Sequence, residues 1–437
     1  MISQAWQEKF IGAARPQPSG RVAQMVGSHI EIEGVDAAVG EAVEIELEGV
    51  NLMAEVVALR GQRLICMPLG STAGVRFGAK ASSLRRPPAL IVGPDLLGRV
   101  VNANGDPIDG KGQITPVDMV SVRNSAPPPM TRSPIASPLG LGIRVIDSMT
   151  PCGVGQRIGV FAGSGVGKST LLSMMVRGTE AEVRVIALIG ERGREVLEFI
   201  DRDLGEEGMR SSVVVVATSD EPALMRIRAA FAATRIAEWF REQGKSVLLV
   251  MDSLTRLAMA QREVGLSSGE PPAQRGYPPS VFSQMAQILE RAGNSDIGSI
   301  TGIYSVLVDG DDMNDPIADA ARSILDGHIV LSREIASSGV YPAVDVLSSV
   351  SRLESAILDS TQRKLLADVR GVLAHVRNAR DLIDIGAYKR GGNPKLDRAI
   401  DLEPKITSVF LQDQSQITSP KEAWNALFEI FSDGAEF

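Results

Sequence analysis

The decapeptide FAGSGVGKST, from Phe161 to Thr170, lies between an apolar strand-length run and a helical run, Leu171 to Arg177. Glycines placed there leave consecutive backbone N–H groups free to turn inward around phosphate oxygens, and the following helix adds its positive amino end. Strand, loop and helix in that order predict a phosphate-binding loop on a parallel sheet. The candidate nucleotide-binding residues are Gly163, Ser164, Gly165, Val166, Gly167, Lys168, Ser169 and Thr170. Lys168 would reach the β- and γ-phosphates, and the Ser169 hydroxyl would ligate Mg2+. Ala162 stands where the usual pattern has glycine, although Gly163 and Gly165 preserve local freedom.

From Arg157 onward, apolar runs alternate with helical patterns: Ile158 to Ala162, Val183 to Ile189, Val213 to Ala217, Val247 to Met251 and Ile303 to Val308. Near-continuous apolar strands separated by helices predict a parallel sheet covered on both faces. Ligands of such sheets bind at the carboxyl ends of the strands, where Asp252 and Glu191 each end a run. Asp252 suits an acid that holds Mg2+ through its water shell, and Glu191 a base for an attacking water. Arg192 is a candidate contact for the γ-phosphate. Each acid taken alone also fits a surface cap of the following helix; the three strand ends together favour a hydrolytic site.

Other segments read differently. Between Arg21 and Arg86, Val43, Ile45 and Leu47 alternate with Glu44, Glu46 and Glu48, and glycines punctuate the runs, so a small antiparallel barrel is expected. Beyond Arg352 the period returns to 3.6, with Leu365, Leu366, Val369, Val372, Leu373 and Val376 on one stripe and Trp424, Leu427, Phe428 and Phe431 on another. Near the start, Ile2, Trp6 and Phe10 would form one stripe of a short helix that docks on its own chain or on a partner, with a disordered segment as the remaining alternative. The expected division is 1–20, an amphipathic partner-binding segment; 21–88, the barrel; 89–352, the phosphate-loop domain; and 353–437, a helical domain. The stretch from Gly265 to Pro279, GLSSGEPPAQRGYPP, is read as lacking a regular element.

Composition narrows the function. A net charge of −8 gives no general attraction for a polyanion, and 4% aromatic residues is thin material for base stacking, which argues against nucleic acid as a partner and against an RNA-translocating ring. Cys66 and Cys152, far apart and flanked by apolar or glycine residues, read as buried thiols in a reducing compartment, and three histidines offer little for a metal centre. Apolar runs of strand length predict a soluble cytoplasmic protein.

GERGREV (190–196), VLLVMDSLTRLA (247–258), GDDMNDPIADAARSILDGHIVLSR (310–333) and YPAVDVLSSVSR (341–352) resemble the hexameric rotary-type ATPase superfamily, most closely its flagellar type III protein-export branch. The resemblance runs from about residue 21 to 400. It implies an α/β protein with an N-terminal antiparallel β-barrel, a central RecA-like parallel-sheet domain and a C-terminal helical domain. It also implies Mg2+-dependent ATP hydrolysis in a homohexameric ring, located in the cytoplasm and peripherally at a membrane export apparatus. Glu191 would then be the catalytic glutamate, Tyr341 the ring against adenine, and Arg352 an arginine finger reaching a neighbouring subunit; an intrachain ion pair is the alternative role for Arg352. Expected partners are a flagellar stator-like regulator at the N-terminus, a central stalk protein facing 265–279 in the pore, and the export gate with its substrates or chaperones. GAYKRGGNPKLDRAI (386–400) looks like the export branch rather than a rotary ATP synthase catalytic subunit, and its GAY form leans flagellar over virulence-type secretion. A non-catalytic nucleotide-binding assembly subunit would have no need of the Glu191 carboxylate.

Overall fold

The structure is a computed structural model that describes residues 19–27, 29–308 and 312–432. The Ile2, Trp6, Phe10 stripe lies outside them.

Six strands form the first unit: β1 (Ser19–Val26), β2 (His29–Glu33), β3 (Ala42–Glu46), β4 (Asn51–Arg60), β5 (Arg63–Pro68) and β6 (Lys80–Ser83). They close in the order β1-β2-β5-β4-β3-β6, so no edge is left open. The alternation works as a barrel requires. Ile30, Ile32, Val43, Ile45, Ala54 and Val56 fill the interior, while Glu44 and Glu46 point outward beside partners such as Lys80, 2.6 Å from Glu46. Glu31 departs from this pattern, because it faces out yet is buried under Arg60 and Arg63, which donate to it at 3.2 and 2.9 Å.

The central sheet runs β14-β13-β8-β12-β11-β9-β10-β7, where β7 is Arg99–Asn102, β8 Arg157–Ala162, β9 Val183–Glu191, β10 Ser212–Thr218, β11 Ser246–Asp252, β12 Ser299–Leu307, β13 Gly327–Val330 and β14 Val350–Ser351. All neighbours are parallel except β13 and β14. Every apolar run read from the sequence forms a strand of this sheet, with Val308 alone falling one residue beyond β12. The edge strand β7 comes from the glycine- and proline-bearing approach to the domain and carries only Val100 and Val101 as apolar residues, too short a pattern to announce itself.

Strand residues alternate between two cores. Val185, Ala187 and Ile189 join one, built with helices Ala223–Glu242, Leu254–Ser267 and Pro279–Glu290. Ile186 and Leu188 join the other, which also takes in the phosphate-loop helix Lys168–Gly178 and the C-terminal helices Ser360–Asp384, Pro394–Phe410 and Pro420–Ser432. The helical domain therefore packs on the same side of the sheet as the phosphate loop. Leu365, Leu366, Val369, Val372 and Val376 are buried as their spacing requires, as are Trp424 and Leu427. Both cysteines are free and buried, and burial pushes the Cys66 thiol up to about 12.

The 265–279 stretch is more regular than its composition suggests. Helix Leu254–Ser267 continues through Gly265, and Pro279 begins the next helix, because proline at a first turn loses no hydrogen bond. Between them Arg275 pairs with Asp312 at 3.3 Å. Among the described residues no helix is long and apolar enough to cross a membrane.

Candidate active site

The phosphate loop leaves β8 and enters helix Lys168–Gly178 through Gly167, whose φ of 92° is open to glycine at little cost. Gly163 and Val166 are buried, whereas Ser164, Gly165 and Ser169 are exposed and available to a ligand. The Ser164 carbonyl accepts from Arg333 at 3.3 Å. Ala162 ends β8 inside the core, and its carbonyl accepts from Val308 N–H at 3.0 Å. The missing glycine is thus a strand residue, outside the turn that needs backbone freedom.

Three charged groups converge beside this loop. Lys168 Nζ donates to Asp252 Oδ1 and stands 4.0 Å from Glu191 Oε1. Asp252 closes β11, is 5% exposed, and accepts a further 2.5 Å hydrogen bond from Ser305 Oγ on β12. The chain then turns at once into helix Leu254–Ser267, capped by Ser253, whose hydroxyl accepts from Arg256 N–H at 3.2 Å.

A bulge aims Glu191. Ile189 pairs with Ala217 and Glu191 with Thr218, so Gly190 is an extra residue in β9 with φ of 71°. A side chain there would begin 3.2 Å from Arg256 Cβ, so glycine lets the strand end lie against the helix. Burial, followed by the neighbouring Asp252 charge, pushes the Glu191 carboxyl up to about 7 against the pull of Lys168. A carboxyl near neutrality next to a phosphate loop is suited to taking a proton from water. It is not an exposed helix cap.

Tyr341 is half-exposed, and a Cβ on Gly167 would stand 3.7 Å from its ring. Together with Val166, Gly167 and Thr170 it lines a pocket of about 330 Å³. A pocket of this volume beside the loop has room for a flat ring such as a nucleotide base.

Two candidates do not converge here. The Arg192 side chain is 78% exposed and pairs with Glu195 at 3.4 Å. Arg352 follows β14, its N–H donating to Asp326 O and its Nη2 to Arg322 O at 2.9 Å. Ser351 pairs with Gly327 at the start of β13, and Asp326 binds Arg157 at the start of β8. Arg352 therefore sits at the amino ends of the strands, roughly 20 Å from the loop at the other end of β8.

Sequence reading passed over Ser305, Arg256 and the segment carrying Gln412, Asp413 and Gln414, which also lines the Tyr341 pocket. Ser305 had a signal, a hydroxyl within an apolar run. The Gln412 segment had none, because its place depends on how the last two helices fold back.

Residues 22–85 match the ATP synthase alpha/beta family, beta-barrel domain; residues 142–351 match the nucleotide-binding domain of that family; and residues 358–429 match the T3SS EscN ATPase C-terminal domain. The flagellum-specific ATP synthase of Bacillus subtilis is 47% identical over 414 residues, 94% of each chain. The type 3 secretion system ATPase of Sinorhizobium fredii is 45% identical, covering 92% of this chain and 90% of that one. The assembled ATPase EscN from the enteropathogenic E. coli type III secretion system superposes with a TM-score of 0.90 at 42% identity, over 94% of this chain and 99% of that one. EscN in complex with its central stalk EscO superposes at 0.87 with the same identity and coverage. With barrel, phosphate-loop sheet and helical domain all matched in order, the chain belongs to the ATP synthase alpha/beta family, in the branch of the flagellar and type III secretion ATPases.

Proposed function

We propose that the chain hydrolyses ATP to ADP and phosphate as a Mg2+-dependent homohexamer, and that this activity energises or prepares substrates for flagellar type III protein export. The observation that carries the proposal is the meeting of Lys168, Asp252 and a near-neutral Glu191 beside the phosphate loop.

The triphosphate would lie on Gly163 to Thr170, with Lys168 exchanging Asp252 for the β- and γ-oxygens. Glu191 would accept the proton as the water oxygen bonds to the γ-phosphorus and the bond to the ADP oxygen breaks. Arg192 would turn from Glu195 to the γ-phosphate, and Tyr341 would stack on adenine. The Ser169 hydroxyl and the Asp252 carboxylate are hard oxygen donors that suit Mg2+ and would hold it beside the phosphates. When bound, Mg2+ would neutralise charge on the triphosphate.

At the amino ends of the strands Arg352 is far from its own phosphate loop, so as a finger it would serve the phosphate of a neighbouring copy in the ring. The assembled EscN and its complex with the central stalk EscO support an assembled ring with a stalk partner, which 265–279 would face. The flagellar assignment rests on the GAY form and on flagellum-specific relatives at 46–50% identity. A stator-like regulator at the N-terminus, the export gate, and substrates or chaperones complete the partner set, with the ring in the cytoplasm at the membrane apparatus. The test is ATPase rate per subunit against protein concentration, with and without Mg2+. A rate that rises with concentration and needs Mg2+ is expected; no hydrolysis at any concentration overturns the proposal.

A further inference from the structure

The link between the last two helices crosses back onto the nucleotide-binding domain and is fastened there by Gln412, which is 5% exposed. Its backbone N–H donates to the Tyr341 carbonyl at 3.0 Å. Its side-chain Oε1 accepts from Arg144 N–H at 2.9 Å, and Nε2 donates to the carbonyls of Gly142 at 2.8 Å and Gln416 at 3.0 Å. Every polar atom of the carboxamide is engaged. Adjacent carbonyls are held as well: Arg144 donates to Leu411 O at 2.7 Å, and Arg177, from the end of the phosphate-loop helix, donates to Gln414 O. The strap so formed shares the 330 Å³ pocket with Tyr341 and Gly167.

We propose that Gln412 is a positioning residue for base recognition. The inference rests on reading the Tyr341 pocket as the base site. The Gln412 main chain holds the Tyr341 backbone, while its carboxamide locks the strap to the loop at Gly142 and Arg144. The phosphates would be gripped by the backbone N–H groups of Gly163 to Thr170 and by Lys168, and that loop meets the pocket through Val166, Gly167 and Thr170. Loss of the carboxamide takes away the acceptor of Arg144 N–H and a donor to the Gly142 and Gln416 carbonyls, leaving Gly142 O with its 3.2 Å bond from Thr418 N–H, so the strap and Tyr341 move together. Base affinity then falls and phosphate affinity does not.

The test compares ADP with inorganic pyrophosphate, both with Mg2+, by calorimetry on the full chain. Wild type should bind ADP more tightly than pyrophosphate. In Gln412→Ala the ADP affinity should fall about tenfold, with pyrophosphate within about twofold. Gln412→Glu keeps Oε1 but turns the Nε2 donor into an acceptor facing two carbonyls, and should lose ADP selectively too; it serves if Gln412→Ala does not fold. Adding either change to Tyr341→Ala should cost ADP nothing beyond Tyr341→Ala alone. Unchanged ADP selectivity, an equal loss of ADP and pyrophosphate, or full additivity with Tyr341→Ala each overturns the role of Gln412. A wild-type protein that binds both ligands equally overturns the base site itself, and with it this inference.

Discussion

Lys168 and Asp252 are bonded to each other: the ammonium of the phosphate loop donates to the carboxylate that closes β11, with Glu191 4.0 Å from the same nitrogen. One cation thus serves two acids on adjacent strands, and a nucleotide must compete for it. Lys168→Ala should weaken Mg2+-ATP binding as well as turnover, since the ammonium meets phosphate charge in both ground and transition states. It should also raise the Glu191 carboxyl further above 7, because Lys168 is what pulls it down. Calorimetry with ATP decides the first point, and unchanged affinity would remove Lys168 from the phosphate site.

Glu191→Gln keeps size and hydrogen bonding but removes the base, so turnover should fall about 10²-fold or more while ATP still binds. In the unmodified enzyme, turnover should rise with pH through an ionisation near 7, where Glu191 gives up its proton. Stability should move the opposite way. Between the ordinary carboxyl value of 4.5 and about 7 the unfolded chain has released this proton and the folded chain has not, so folding weakens as pH rises through that window and levels off above it. Glu191→Gln should therefore stabilise the nucleotide-free protein above pH 7, by an order of magnitude of about 1–3 kcal/mol. Denaturation at pH 5 and pH 8 checks the sign, and a turnover within threefold of wild type removes Glu191 from the mechanism.

Gly190→Ala tests the bulge. A Cβ at φ of 71° costs about 1–2 kcal/mol in backbone strain and would meet Arg256 at 3.2 Å. The strand end should shift, lowering the melting temperature by a few degrees and turnover by more than that loss of stability explains. A variant that keeps both wild-type values would mean that the bulge does not aim Glu191.

How much of this could be read from the chain depends on range. The phosphate loop and the acids ending β9 and β11 are local signals: an apolar run fixes the strand, and the first polar residue after it falls at the carboxyl edge. The barrel alternation was equally local, and it missed Glu31 only because Arg60 and Arg63 reach over from β4 and β5 to cover it. Arg99–Asn102 escaped notice because four residues with two valines look like loop until Val213 to Val216 pair beside them. Gln412 lay furthest from view. Its partners Arg144 and Gly142 are about 270 residues away, and no spacing rule records which chain segment will close a pocket.

Arg352 and Glu191 belong to the same chain but lie at opposite ends of the sheet, which makes their cooperation a question about neighbours. Arg352→Ala should bind ATP nearly normally and turn over slowly, because a guanidinium at the γ-phosphate stabilises charge that develops in the transition state. Each of Arg352→Ala and Glu191→Gln alone spoils every interface of a ring. Mixed rings contain some interfaces where an intact Glu191 from one copy meets an intact Arg352 from the next, so partial activity should return on mixing. Labelled subunits establish that joint rings form, and doping either variant into wild type measures how far one defective interface silences the others. If joint rings form, wild-type doping reveals no such silencing and mixing restores nothing, then Arg352 does not act across the interface; a fully active Arg352→Ala protein rejects the finger outright.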